Sequence, residues 1–127
     1  METFTVMTDQ RNQFVDITAQ VAAALKKLAV NDGVATIFCP HTTAAITINE
    51  NADPDVVRDM TKKLNTLVPP HESYSHMEGN SDSHIKSSLV GNSTQVIVEN
   101  GRLMLGTWQG IYFCEFDGPR TRKVWVR

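Results

Sequence analysis

The residues "TQVIVE", Asn100-Gly101 and "RLMLG" constrain the fold more tightly than any other part of the chain. Asn-Gly accepts the positive φ angles of a two-residue type I′ turn, so the two flanking runs read as an antiparallel hairpin. "TFTVMT" and "QFVDI", joined by the polar turn "DQRN", read as two further strands. The period then changes. Ile17, Val21, Ala24, Leu25 and Leu28 recur at helical spacing, and Asn31-Asp32-Gly33 supplies a stop. "VATIFCP" and "AAITINE" are short apolar strands flanking Pro40-His41-Thr42-Thr43.

A second helix follows, with Asp53 as N-cap, Pro54 in the first turn and Asp55 complementing the helix dipole. Val57, Met60, Leu64 and Leu67 form its apolar stripe, and Pro69-Pro70 ends it. "SHIKSSLVG" reads as two helical turns closed by Gly91, and "IYFCEF", the turn "DGPR" and "KVWVR" complete the set. The sum is about seven or eight strands and two or three helices, with the strands clustered at both ends of the chain. That pattern predicts an α+β fold with mainly antiparallel pairing, two sheets packed as a sandwich or open barrel.

A length of 127 residues fits a single domain, 1–127, with a real hydrophobic core. The formal net charge of −2 excludes nucleic-acid binding through bulk charge. No apolar run approaches a membrane span, and "METFTVMTDQRNQFVD" lacks the basic-then-apolar order of a secretory signal. Cys39 and Cys114 lie in apolar strands and read as buried thiols rather than a disulfide framework. A cytoplasmic protein with neither nucleic-acid nor membrane partners is the expectation.

The chemistry concentrates in "PHESYSHMEGNSDSHIKSSLVG", which holds His71, His76 and His84 together with Glu72, Glu78, Asn80 and Asp82. If the chain extends to about Asp82 and then turns into a helix, His76 and His84 can converge on one centre. Imidazoles suit divalent transition metals and oxygen donors suit Mg²⁺, although no zinc spacing motif is present. A solvated loop is the competing reading. His41 ends a strand beside the hydroxyls of Thr42 and Thr43, where a structural role is also common. Asn49 and Glu50 precede a helix N-terminus, an anion-binding pole. Trp108 and Gln109 sit between glycines, a pattern equally suited to a bulge. Arg120 follows the tight Asp117-Gly118-Pro119 bend and, with Arg122 and Lys123, forms a basic group able to meet phosphate oxygens. Glu115 on an apolar strand needs a partner such as Arg120 or Arg122, or a subunit boundary.

"HTTAAITINENADPDV", "HMEGNSDSHIKSSLVG" and "GRLMLGTWQGIYFCEFDGPRTRKV" together resemble the YjbQ family, also called the secondary thiamine-phosphate synthase family, over essentially the whole chain. The resemblance implies a β-sandwich with two helices, assembled as a homotrimer. It implies a site containing His41, His76, His84, Asn80 and the Trp108-Gln109 and Asp117-Arg120 segments. It further implies a weak thiamine-phosphate synthase activity, joining a pyrimidine diphosphate to a thiazole phosphate with release of pyrophosphate. On that reading His41, His76, His84 and Asn80 are catalytic, and the three imidazoles hold a divalent ion, Zn²⁺ or Mg²⁺. Thr42, Asn49, Trp108, Gln109, Asp117 and Arg120 bind the phosphorylated substrate. The lack of a glycine-rich phosphate loop fits a side activity. A metal-dependent hydrolase of a small metabolite and a non-enzymatic small-molecule-binding trimer are the alternatives. Apolar and aromatic residues on both faces of "IYFCEF" also point to an obligate trimer.

Overall fold

Alternation along the strands decides the architecture, because each strand has an apolar face that must be covered. The computed structural model describes all 127 residues and contains eight strands and three helices. In chain order these are β1 (Glu2–Met7), β2 (Gln13–Asp16), α1 (Thr18–Lys27), β3 (Gly33–Phe38), β4 (Ala44–Glu50), α2 (Pro54–Leu67), α3 (Ser81–Val90), β5 (Ser93–Glu99), β6 (Arg102–Leu103), β7 (Gln109–Glu115) and β8 (Thr121–Val126). A five-stranded sheet has the order β1-β8-β3-β5-β6 and a three-stranded sheet the order β2-β7-β4, with every pairing antiparallel. This is the α+β sandwich expected from the strand pattern.

The core lies between the sheets. Val6, Ala35, Ile37, Val96, Val98, Val124 and Val126 from one sheet meet Ala44, Ile46, Ile111 and Phe113 from the other, and α1 inserts Ile17, Val21, Ala24 and Leu25. The hairpin forms as its residues require: Asn100 and Gly101 both have positive φ, 52° and 73°. Asp53 caps α2 by accepting from the Asp55 N–H at 2.9 Å. Two local details differ from the sequence reading. The first helix ends at Leu28, where Ala29 turns left-handed (φ 55°). Asp32 instead accepts the Asn100 N–H and ties the hairpin turn to the end of that helix.

The expected reason for trimerisation is overturned. Both faces of β7 are covered within one chain: Ile111 and Phe113 face the core, while Tyr112, Cys114 and Phe116 are buried in a second cluster with Phe14, Val57, Leu64 and Val90. One uncovered apolar patch lies on the outside of the five-stranded sheet, where Val34, Ile97 and Trp125 are 55%, 65% and 37% exposed. There Phe38 stacks on Trp125 with ring centroids 5.6 Å apart.

α3 is inverted relative to an ordinary surface helix. Asp82, Ser83, Lys86 and Ser87 are its buried residues, whereas Ile85 and Leu89 are exposed. Burial of three of them is tolerated because they are bonded: Asp82 to Arg11 and Lys86, Lys86 also to Asn12 and Asn65, Ser83 to the Phe116 carbonyl. Burial still lowers the Lys86 pKa, with the Asp82 carboxylate opposing the shift. The polar face pins α3 and leaves His84, partly exposed, off it.

Candidate functional site

Three times the chain crosses from one sheet to the other at the same end of the sandwich. Residues 8–12 join β1 to β2, residues 39–43 join β3 to β4, and residues 116–120 join β7 to β8. The crossings hold one another. The Thr8 N–H donates to the Arg120 carbonyl, the Gly118 N–H to the Arg11 carbonyl, and the Phe116 N–H to the Thr43 carbonyl. Gly118 is required by proximity, since a Cβ there would lie 2.2 Å from the Gln10 carbonyl oxygen.

Beneath the crossings sits a buried ion pair. Arg122 Nε donates to Glu115 Oε2 at 2.8 Å and its second nitrogen to Oε1, a two-point contact. Thr8 and the Asp117 N–H also donate to Glu115, and Arg122 reaches the Thr43 hydroxyl at 2.9 Å. Arg122 rather than Arg120 is thus the partner that Glu115 needs, and no subunit boundary is involved.

Above this floor, the crossings and the start of α3 enclose a hollow of about 450 Å³ with no hydrophobic residue in its wall. His41, Thr42, His76, His84, Asn80, Asp117 and Arg120 all line it, so these predicted site residues converge. Asp117 organises the rim: one oxygen accepts from Asn80 Nδ2 at 2.8 Å and from Arg120 at 3.0 Å. Arg120 Nε also returns to the Asp117 carbonyl, which fixes the guanidinium while its side chain stays half exposed. An ionised Asp117 only accepts, so the Asn80 amide nitrogen must face it. The Asn80 Oδ1 is then left buried without a hydrogen-bond partner.

His41 is held by the neighbouring strand. Its Nε2 accepts the Lys123 N–H at 2.8 Å, which places the proton of the neutral ring on Nδ1. Burial, followed by the Arg122 charge, lowers its pKa below the usual imidazole value. His76 and His84 stand edge to face with centroids 5.5 Å apart, and Glu78 lies 4.0 Å from His76. The three imidazoles expected to hold a metal share one hollow but are not drawn together as a ligand group. No three His, Cys, Asp or Glu side chains are grouped closely enough to hold an ion. His41 can ligate through Nε2 only by giving up its backbone bond, or through Nδ1 only by shifting its proton.

Other predicted residues lie elsewhere. Trp108, Gln109 and Asn49 are at the opposite end of the three-stranded sheet, where Asn49 pairs with Gly110 and Glu50 with Gln109. The seven-residue strand β7 separates them from Asp117 by about 20 Å. Gln109 folds back to accept the Gly106 N–H, Asn49 accepts the Glu50 N–H, and Trp108 is exposed. Asn49 and Gln109 are thus strand residues of β4 and β7, and Trp108 lies in the turn before β7. Asp82 is buried with Arg11 and Lys86 and does not line the hollow. His71 is exposed outside the hollow. Both cysteines are free and buried, and burial pushes the Cys39 thiol up to about 11, away from nucleophilic use.

Sequence reasoning missed the contribution of Ser87, Ser88 and Asn92, which line an adjoining hollow with His41, Thr42 and His84. The only available signal was the inverted polarity of α3, visible as polar residues at 82, 83, 86 and 87 against Ile85 and Leu89.

A family model described as "UPF0047 protein YjbQ-like" matches residues 2–127. UPF0047 protein YugU of Bacillus subtilis is 56% identical over 100% of this chain and 97% of its own length. A UPF0047 protein of Methanocaldococcus jannaschii is 52% identical over 98% of this chain and 90% of its own. Among solved structures, a conserved YjbQ/UPF0047 protein of Clostridium acetobutylicum is 57% identical. It superposes with a TM-score of 0.98, covering 100% of this chain and 98% of its own. A protein of Sulfolobus solfataricus described as YbjQ-like and of unknown function is 33% identical with a TM-score of 0.94, over 98% and 92% of the two chains.

Proposed function

The chain belongs to the YjbQ-like UPF0047 family, and on that premise we propose that the polar hollow is the active site of an enzyme acting on a phosphorylated small molecule. What carries the reading is the convergence of His41, His76 and His84 with Arg120 in one wall that has no hydrophobic residue. Asp117 and Glu78 face the same space, so the hollow has no surplus of positive charge. An anion is received through directed N–H donors, chiefly the Arg120 fork.

Asp117 positions Arg120 to meet phosphate oxygens, and that stabilisation matters most where charge builds on a departing phosphate or pyrophosphate. His41, neutral and carrying its proton on Nδ1, donates a hydrogen bond. His76 or His84 moves a proton at the atom that leaves or attacks. Asn80 Oδ1 accepts from a substrate hydroxyl or amine. A divalent ion, Zn²⁺ or Mg²⁺, enters the proposal as a group recruited with substrate, which His76 and His84 would hold and which would neutralise phosphate charge. Thiamine-phosphate synthesis is one reaction within this class, with release of pyrophosphate served by Arg120. Trp108 does not line the hollow, so the wall favours the phosphate over the rings. A homotrimer is proposed through the outer face of the five-stranded sheet, around Trp125, Phe38 and Ile97.

Calorimetric titration with inorganic pyrophosphate tests the site, together with product analysis on pyrimidine diphosphate and thiazole phosphate. Binding that is lost in His84→Ala and kept in His71→Ala is the expected result. Equal loss in both, or no binding by the unaltered protein with or without divalent metal, overturns the reading.

A further inference from the structure

The second hollow, about 540 Å³, shares His41, Thr42 and His84 with the arginine hollow, so these three residues form a wall common to both. Its chemistry is different. Ser87, Ser88 and Asn92 complete the polar part, Ala44 is its one hydrophobic residue, and no arginine, lysine or carboxylate lines it. Ser88 is satisfied by the His84 carbonyl. The Ser87 hydroxyl is buried without a hydrogen-bond partner in a residue only 7% exposed. Buried hydroxyls are normally bonded, because leaving one unpaired destabilises the fold. One that persists in the wall of a hollow marks a place where a ligand supplies the missing bond. Thr42, Asn92 and the His84 ring add side-chain donors and acceptors on the same hollow.

The lining also says what does not fit. A flat heterocycle is ordinarily held between apolar or aromatic surfaces, and this hollow offers neither beyond one alanine and the imidazoles. A charged group would find no counter-charge. A neutral moiety carrying several hydroxyls matches it, since each hydroxyl both donates and accepts.

We infer that the substrate is a phosphate ester of a small polyhydroxylated compound, with its phosphate at Arg120 and its hydroxylated part against Ser87 and Asn92. The ester linkage then lies over the shared wall of His41, Thr42 and His84, where the imidazoles stand. This rests on the arginine hollow being the phosphate site.

Calorimetric titration separates the two ideas, using inorganic phosphate, ribose 5-phosphate and phenyl phosphate as probes. Ribose 5-phosphate should bind about tenfold or more tighter than inorganic phosphate, a difference worth a few added hydrogen bonds. Phenyl phosphate should gain little. In Ser87→Ala and Asn92→Ala the preference for ribose 5-phosphate should collapse toward that of inorganic phosphate. Ser87→Ala should melt no lower than the unaltered protein, because the hydroxyl it removes has no internal partner. A clearly lowered melting point would assign Ser87 to the fold and overturn the subsite. Inorganic phosphate binding with no gain from ribose, or phenyl phosphate binding as tightly as ribose 5-phosphate, overturns the substrate class and leaves the arginine site standing. No binding by any of the three removes both.

Discussion

The floor and the rim of the arginine hollow use the same pair of side chains, an arginine and a carboxylate, with opposite consequences. On the floor, Arg122 and Glu115 are 6% and 0% exposed and spend their hydrogen-bonding capacity on each other and on Thr8, Thr43 and the Asp117 N–H. On the rim, Arg120 and Asp117 are 51% and 12% exposed, and the guanidinium keeps a free edge. The floor stitches three chain crossings together. The rim remains available to a ligand. Two arginines separated by one residue therefore differ in role because alternation along β8 turns Arg122 inward and leaves Arg120 in the turn before it.

The sharpest way to break this comparison is to remove the floor arginine. Arg122→Ala leaves Glu115 buried among donors too few for its charge, and unfolding should cost about 3–5 kcal/mol less than for the unaltered protein. A double variant, Glu115→Leu with Arg122→Met, should recover much of that loss, because no isolated charge is left behind. Urea denaturation measures both. Loss of only a few tenths from Arg122→Ala would mean that the floor is no more structural than the rim.

Arg120→Ala should do the reverse. A half-exposed ion pair contributes about 0–1 kcal/mol to stability, so the melting curve moves little. Affinity for pyrophosphate should fall by about 1.5–3 kcal/mol, the range for a hydrogen bond to a charged group. Lys123→Ala, whose backbone rather than side chain holds His41, should change that affinity far less. Equal losses at both positions would describe a diffuse basic surface instead of an aimed fork.

Trp108→Ala extends the comparison to the far end of the sandwich. With about 20 Å of strand between Trp108 and Asp117, pyrophosphate affinity in a monomer should be unchanged to within about twofold. An effect that appears only at protein concentrations where light scattering detects oligomers would show that a second copy brings Trp108 to the hollow.

The two ends of the sandwich also mark where local reading of the chain stops. The Asn100-Gly101 turn, the Asp53 cap and the need of Glu115 for an arginine were legible, because each depends on neighbours in sequence or on a rule of burial. The convergence of His76 and His84 followed from a short loop running into a helix, and that convergence is present. What the residues could not reveal was the sheet to which each strand goes. β1 and β2 look like a hairpin, as do β3 and β4, yet each pair is divided between the two sheets. Those divisions create the crossings, and the crossings decide that Arg120 and His41 meet while Trp108 and Asn49 do not. The polar inner face of α3 was hidden for a related reason. Its partners, Arg11, Asn12 and Asn65, come from 71, 74 and 21 residues away.

The smallest expected effect concerns His41, which stands between floor and rim. Burial and the Arg122 charge lower its pKa in the folded protein, whereas an unfolded chain has the ordinary value of 6.5. Above that value neither state is protonated there, and His41 contributes no pH dependence. As pH falls through 6.5 the unfolded chain takes up a proton that the folded chain resists, so stability declines until the folded-state pKa is passed. Melting temperature should accordingly drop between pH 7 and pH 5. The part due to His41 is read as a difference: His41→Gln should show a shallower slope than the unaltered protein near 6.5, and the two should run parallel above it. Identical slopes in the two proteins would mean that His41 titrates as freely folded as unfolded, and its neutral donor role in the hollow would have to be abandoned.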